Sequence, residues 1–320
     1  MVSFPVFKLT ANGDDVTEHI RDNLISLTFS DTEGYLSDQL SIKVAGIFAR
    51  PLLGGTLTLA LGIRGGEMHD YGVFKVNLTE VDYKSMTTTA KATAVNFKES
   101  AKERKEKLWE AQSLADIAAA IAADNGLKAG ADAAGGVMLK SVTQKDKNDL
   151  EFICELADEY GFICTVKDET IILLSKNTGK RDALEVKVNM NECQSLNISR
   201  SAKTQYESVK VVWQDLDTAK MQEATAGSGE PVYIMQDKRP KSPEEGAHIA
   251  ESMLNELRAQ SSRGSLSFNG GRKIRAGAKL VLTGTGNDDD CTYHINEVTH
   301  TMSTSEYTVN VEFAEIKEAK

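Results

Sequence analysis

The end of this 320-residue chain echoes its beginning, and that repetition limits the folds open to it. Near the front stands Gly55-Thr-Leu-Thr-Leu-Ala-Leu-Gly62; near the back stands Gly277-Ala-Lys-Leu-Val-Leu-Thr-Gly284. Each is a glycine, six mostly apolar or β-branched residues, and a second glycine. Phe74-Lys-Val-Asn77 follows the first, and Tyr293-His-Ile-Asn296 follows the second. Each copy then closes in a Thr/Ser-rich stretch, Thr87 to Phe97 and Ser303 to Phe313. The pattern predicts two similar β units in one chain, although two unrelated antiparallel meanders would share part of it. Three such chains would present six similar units, enough to match a six-fold ring.

Between the two copies the periodicity changes. Residues from about Phe4 to Phe97 read as all-β: Leu24–Phe29, Gln39–Val44 and Thr56–Leu61 mix β-branched and apolar residues with partial alternation. Asn12-Gly13 and Gly65-Gly66 are turn signals. Lys98 to Lys107 is a charged stretch whose interspersed glutamates suit a solvated linker or helix start better than a nucleic-acid contact. Ser113-Leu-Ala-Asp116 then reads as a capped helix start, with Leu114, Ile117, Ala118, Ile121 and Ala122 at helical spacing and Asn125-Gly126 as its end. A second helix is expected from about Asp146 or Asn148, with Leu150, Ile153, Cys154 and Ala157 as its stripe and Gly161 as its stop. Phe162–Val166 and Thr170–Leu174 should form a hairpin around Lys167-Asp168-Glu169.

Strand character returns at Leu184–Val188, Ser195–Ile198 and Ser208–Trp213. The polar stretch from Trp213 to Pro243 reads as a long, partly mobile loop. Ser242-Pro-Glu-Glu245 opens a third helix, with Ala247, Ala250, Met253, Leu254 and Leu257 as its inner face. The expectation is therefore an α+β fold, mainly β: a first small β-barrel over 1–98, an α/β domain over 107–178, and a second, similar barrel over 183–320. That second barrel would be interrupted by a loop and helix at about 214–263.

The charge and cysteine patterns exclude some classes. A net charge of −10 argues against a nucleic-acid binder, though an acidic wall would let DNA pass without sticking. No apolar run approaches the ~20 residues that span a bilayer, and Met1 to Lys8 has no signal-type core, so a cytoplasmic site of synthesis is expected. Cys154, Cys164, Cys193 and Cys291 form no CxxC pair and read as reduced thiols.

Several stretches, taken in order, resemble a known family. They are Asp31-Thr-Glu-Gly-Tyr-Leu-Ser-Asp-Gln-Leu40, Ser113 through Leu127, Ser141-Val-Thr-Gln144 with Asn148–Ile153 and Leu156–Gly161, and the closing Tyr293–His300 and Tyr307–Phe313. The chain resembles the phage late control gene D protein family, the baseplate hub proteins of contractile tails. Some relatives carry a longer basic insertion between Trp213 and Pro243; here that stretch is short and nearly neutral. The resemblance implies a homotrimer whose two barrels per subunit alternate around an axis. Such a ring would join a six-fold tail tube to a three-fold central spike within a baseplate. DNA would be passing cargo, no membrane insertion would be stable, and the virion would be assembled in the host cytoplasm. Which residues form the interface is left open.

Candidate chemistry is sparse. His294 and His300 could pair on a metal only with a third ligand, and otherwise read as structural or interface histidines. Asn287-Asp-Asp-Asp290 offers hard oxygens but lacks the spacing of a calcium loop, and reads as a solvated hairpin tip. Neither Gly62–Gly66 nor Gly264–Gly271 has the spacing of a phosphate loop, and there is no Gly-x-Ser-x-Gly elbow. No stretch singles out an opposed carboxylate pair for glycoside cleavage, and no helix shows a basic recognition face. The expectation is no catalytic residue, no cofactor and no resident metal. The alternatives to a hub are a carrier related to the VgrG proteins of type VI secretion systems and, third, a tail-associated peptidoglycan hydrolase.

Overall fold

The computed structural model describes residues 4–33, 38–94, 103–131, 134–167, 170–175, 184–202, 205–215, 219–286 and 289–315. Residues 98–102 of the charged stretch, the hairpin tip Asp168-Glu169 and Asn287-Asp288 lie outside these, as do 34–37 and 95–97 of two matched stretches. The chain divides into two compact units. The first comprises 1–96, 184–197 and 264–313; the second comprises 97–183, 198–263 and 314–320.

The first unit is built on β1 (Pro5–Ala11), β2 (Asp14–Asp15), a short α1 (Thr17–Arg21), β3 (Leu24–Thr32), β4 (Gln39–Ala45), β5 (Thr56–Ile63), β6 (Met68–Asp82) and β7 (Thr87–Thr93). Its later strands are β13 (Glu185–Asn189), β14 (Ser195–Arg200), β18 (Ser262–Asn269), β19 (Lys279–Thr283), β20 (Thr292–Met302) and β21 (Tyr307–Glu315), of which 198–200, 262–263 and 314–315 fall past the division between the units. Alternation explains the strands: Leu57, Leu59 and Leu61 of β5 are buried, as are Leu280 and Leu282 of β19 and Tyr307, Val309, Val311 and Phe313 of β21. All thirteen strands belong to one hydrogen-bonded sheet.

The order of strands in that sheet repeats. One run is β3-β4-β7-β6-β5-β1; the other is β14-β18-β21-β20-β19-β13. The two runs match strand for strand, and the sequence echo falls on β5/β19, β6/β20 and β7/β21. Backbone hydrogen bonds reproduce the match. Gly54 N–H donates to Val76 O at 2.8 Å and Val76 N–H to Gly55 O at 2.9 Å; Gly277 N–H donates to Ile295 O at 2.8 Å and Ile295 N–H to Ala278 O at 3.0 Å. The runs differ at the last strand: β1 lies antiparallel to β5, whereas β13 lies parallel to β19. A parallel neighbour needs a long crossover, and the chain between β13 and β19 supplies it.

The second unit contains β8 (Lys105–Ser113), α2 (Leu114–Asn125), β9 (Lys128–Gly130), β10 (Met138–Lys147), α3 (Asp149–Glu159), β11 (Phe162–Lys167), β12 (Thr170–Ser175), β15 (Ser208–Gln214), β16 (Met221–Gly227), β17 (Val232–Met235) and α4 (Pro243–Ser261). Its sheets run β10-β8, β11-β12-β9 and β16-β15-β17. Ser113 and Asp116 close a reciprocal capping box on α2, and Gly126 ends that helix at φ 70°, where a β-carbon would be strained. Ile117, Ile121, Ile153, Phe152, Leu254 and Val211 share one apolar core.

The stretch 214–243 is not simply a loop, because β16 and β17 flank β15 on either side. β16 shows little apolar alternation, turning only Gln222, Ala224 and Ala226 toward cover, and the apolar Val232–Met235 of β17 is only four residues long. Ser208–Trp213 accordingly pairs with these strands rather than with a second barrel. The 214–263 segment, expected as an insertion in that barrel, belongs to the second unit: Ile249, Ala250, Leu254 and Leu257 of α4 pack into the core with α2 and α3.

The face of α4 is also rotated from its expected setting. Ala247 is exposed, while Gly246 and Ile249 are buried. Glycine is required there because an added β-carbon would lie 2.8 Å from the Trp213 ring. Ser242 caps the helix as expected, accepting from Glu245 N–H at 3.1 Å, but the Glu245 carboxylate reaches Lys241 N–H at 2.9 Å instead of closing the box. Of the charged stretch, Lys105–Lys107 form neither a linker nor a helix start, since β8 begins at Lys105 and pairs with β10.

Candidate assembly seam

The two strand runs meet where β3 lies antiparallel to β20, with Thr32 opposite Glu297 and Leu27 opposite Met302. Inward-facing side chains from both strands are buried completely or nearly so: Leu27, Phe29 and Asp31 from β3, and Val298, His300 and Met302 from β20. Phe29 stacks on His300 at 5.6 Å between ring centroids and lies 4.8 Å from Tyr71, which is itself 4.8 Å from His300. Phe74 closes the group edge-on at 5.6 Å from Phe29. This aromatic cluster joins β3, β6 and β20 into one interior.

Polar groups are threaded through it. His300 Nδ1 lies 2.9 Å from the Tyr307 hydroxyl. Burial drives the His300 imidazole down to about 3, so it is neutral at physiological pH. The same desolvation pushes Tyr71 up to about 12 and raises Tyr307. Asp31 accepts from Ala276 N–H at 3.2 Å and lies 3.9 Å from the Arg275 guanidinium. Arg275 also sits over the Tyr71 ring at 4.9 Å and donates to Asp70 O at 3.1 Å. The segment before β19 is therefore fastened to the first strand run by charge, ring and backbone contacts together. A His–carboxylate contact, His294 Nε2 with Glu33, closes the seam's other end.

The two sequence-flagged histidines thus share a strand without sharing a site: His294 meets Glu33, and His300 meets Tyr307. At the tip, Asp290 accepts from Gly284 N–H at 3.1 Å and from Thr285 N–H at 2.8 Å, as a turn carboxylate does. Among the described residues, no three His, Cys, Asp or Glu side chains gather as a metal site. No helix among them is long and apolar enough to cross a membrane. Cys154 and Cys164 are buried free thiols, on α3 and β11.

The second unit holds a polar knot that the sequence pattern hides. Asp149 is buried at the start of α3, and Lys105 Nζ, Gln144 Nε2 and Asn125 Nδ2 donate to it at 2.6, 3.0 and 3.0 Å. Burial opposes its charge, but the donors from Gln144, Lys105 and Asn125 outweigh that and hold the carboxyl below its ordinary range. The knot ties β8, α2, β10 and α3 together. The spacing of Gln144 and Asp149 was visible; that both would converge on one buried point with Lys105 and Asn125 was not.

The model of the phage tail baseplate hub (GPD) family matches residues 76–306 of this chain. The chain is 32% identical over 174 residues to a probable baseplate hub protein of Escherichia phage 186, an alignment covering 53% of this chain and 45% of that one. It thus spans less than half of that relative's length. Among solved structures, it is similar to the 43 kDa tail protein of prophage MuSo2 from Shewanella oneidensis, with a TM-score of 0.70 at 10% identity and 98% of both chains covered. It is similar also to the E. coli c3393 protein, a component of the type VI secretion system, with a TM-score of 0.61 at 13% identity over 97% of this chain and 77% of that one. At these identities the two structures speak for a shared fold alone. The family match runs from Val76 in β6 to Glu306 just ahead of β21, well over half of the chain, and the chain belongs to the phage tail baseplate hub (GPD) family.

Proposed function

We propose that this protein is the structural hub of a contractile phage tail or tail-like particle, and that it acts by matching symmetries rather than by catalysis. Each six-strand run curls as one small barrel, and three chains place six such barrels in a pseudo-six-fold ring. The ring meets the hexameric tail tube on one side and a three-fold spike on the other, within the baseplate of a virion assembled in the host cytoplasm. DNA passes through its acidic lumen as cargo.

The observation that carries this reading is the repeated strand order, β3-β4-β7-β6-β5-β1 and β14-β18-β21-β20-β19-β13. A chain with an internal repeat lets a three-fold object present a six-fold face. The test is the mass of the purified protein by multi-angle light scattering, with end-on imaging. A trimeric mass and rings with six lobes are expected. A monomer at every accessible concentration would sink the reading. So would digestion of purified peptidoglycan by the chain alone, which would point to the hydrolase reading instead.

A further inference from the structure

The seam between β3 and β20 has a counterpart within the chain that no strand fills among the described residues. The match of Val76 with Ile295 sets Glu80 against Thr299 and Tyr83 against Met302. In β20, the residues Glu297–Met302 have β3 beside them. Their matches, Leu78–Asp82 of β6 and the turn residue Tyr83 after it, have only β7 beside them among the described residues, since the chain leading into β5 bonds to β6 as far as Val76 and no further. Burial follows this difference: Met302 is 1% exposed, and Tyr83 is 68% exposed.

The segment ahead of the glycine shows the same contrast. Ile274, Arg275 and Ala276 precede Gly277 and pack on the first run, with Ile274 fully buried. Pro51, Leu52 and Leu53 precede Gly54, and Leu52 and Leu53 are 74% and 68% exposed.

The complementary edge lies at the other end of the sheet. β14 is the last strand of its path and matches β3. Gly46 N–H donates to Met86 O and Gly270 N–H to Tyr307 O, which aligns β4 with β18. Ser199 then matches Ser30: Ser30 faces Gln39 in β4, and the Ser199 hydroxyl donates to Arg263 O in β18 at 3.3 Å. Ile198 and Leu196 match Phe29 and Leu27. Both are half-buried where their counterparts are fully buried.

We infer that β14 of one copy of this chain adds antiparallel to the Leu78–Asp82 end of β6 and the following Tyr83 in the next copy, with the loop Arg50–Leu53 closing over it as Ile274–Ala276 closes over β3. Backbone hydrogen bonds supply the register, and the apolar faces of Ile198 against Val81 and Leu196 against Tyr83 supply the burial. The contact is head-to-tail, so it leaves each copy one free edge of each kind until a ring closes. It rests on the ring reading above and names the surfaces that make the ring. It also removes two exposed edges that would otherwise invite uncontrolled pairing.

Within the chain, Ser30 and Thr299 are register partners, and their hydroxyl oxygens lie 3.4 Å apart. Their matches are Ser199 and Glu80, both exposed. In a full-length chain with Cys193→Ser and Cys291→Ser, Ser199→Cys and Glu80→Cys are introduced together. Mild oxidation should give covalent trimers on a non-reducing gel. Mixing two chains that carry one of these substitutions each should give dimers. Ser30→Cys with Thr299→Cys is the control, giving an internal bond without a change of mass. A trimeric mass in light scattering with no bond between positions 80 and 199, while the control bond forms, overturns the inference and leaves the ring standing. A persistent monomer in light scattering overturns both.

Discussion

His300 shows how a single residue ties stability to pH. Its imidazole is fully enclosed between Phe29, Tyr71 and Tyr307, and that burial depresses its proton affinity to about 3. In the unfolded chain the same group titrates near 6.5. Between these values the unfolded state binds the additional proton, so the stability conferred by the neutral ring is complete above about pH 6.5. It is lost progressively as the pH falls toward 3. The difference between pH 7 and pH 5 is about 2 kcal/mol. Urea titrations followed by circular dichroism at the two pH values should show it. His300→Gln should lose less stability over that interval than the parent by about that amount, since the other titrating groups are common to both. Equal slopes would mean that the ring is protonated in the folded protein.

At the scale of elements, α4 offers the sharpest contrast between what a sequence pattern shows and what packing decides. Ala247, Ala250, Met253, Leu254 and Leu257 have helical spacing, and Leu254 and Leu257 do face the core. Ala247 does not, because the Trp213 ring reaches the helix at Gly246 and admits no β-carbon there. A glycine in a helix reads as a weakness until the ring that needs it is in view. Leucine at the two neighbouring positions separates the cases. Gly246→Leu should destabilise the protein by at least ~1–3 kcal/mol through overpacking, and Ala247→Leu by less than ~0.5 kcal/mol. Trp213 sits against the site, so unfolding can be followed by its fluorescence. Comparable losses from both would place the helix in a different rotation.

The same distinction accounts for the legibility of the other elements. Ser113 with Asp116, Asn125 with Gly126, and the Phe162–Ser175 hairpin depend on neighbours a few residues away, and they stood out. The strands β16 and β17 did not, because Met221–Gly227 draws its order from β15 and α4 rather than from its own composition. The Asp149 knot escaped for the same reason, since Lys105 and Asn125 arrive from distant points in the chain. The repeat was legible in residues such as Val76 and Asn77, but its register in the strand before was one residue off, since Gly277 matches Gly54 and not Gly55, and the pairing of β3 with β20 was not legible at all. A seam between two similar units leaves no pattern local to either.

At the scale of the whole molecule, charge and edge pairing oppose each other. Each chain carries a net charge of −10, so three chains brought together repel one another over distances that salt can screen. The proposed contact between β14 and β6 brings Glu80 and Asp82 near Arg200, but all three are exposed at its rim, where ion pairs are worth little. It is made of backbone hydrogen bonds and the apolar pairs Ile198–Val81 and Leu196–Tyr83, with Leu52 and Leu53 above them. Hydrogen bonds between strands and apolar burial are largely indifferent to ionic strength in this range, whereas the mutual repulsion falls as the Debye length shortens from ~30 Å at 0.01 M to ~10 Å at 0.1 M. Association should therefore strengthen as sodium chloride is raised from about 0.01 to 0.3 M. Sedimentation equilibrium of the purified protein at several salt concentrations measures this directly. Weaker association at high salt would show that ion pairs across the contact dominate, and the edge surfaces named above would then be the wrong ones.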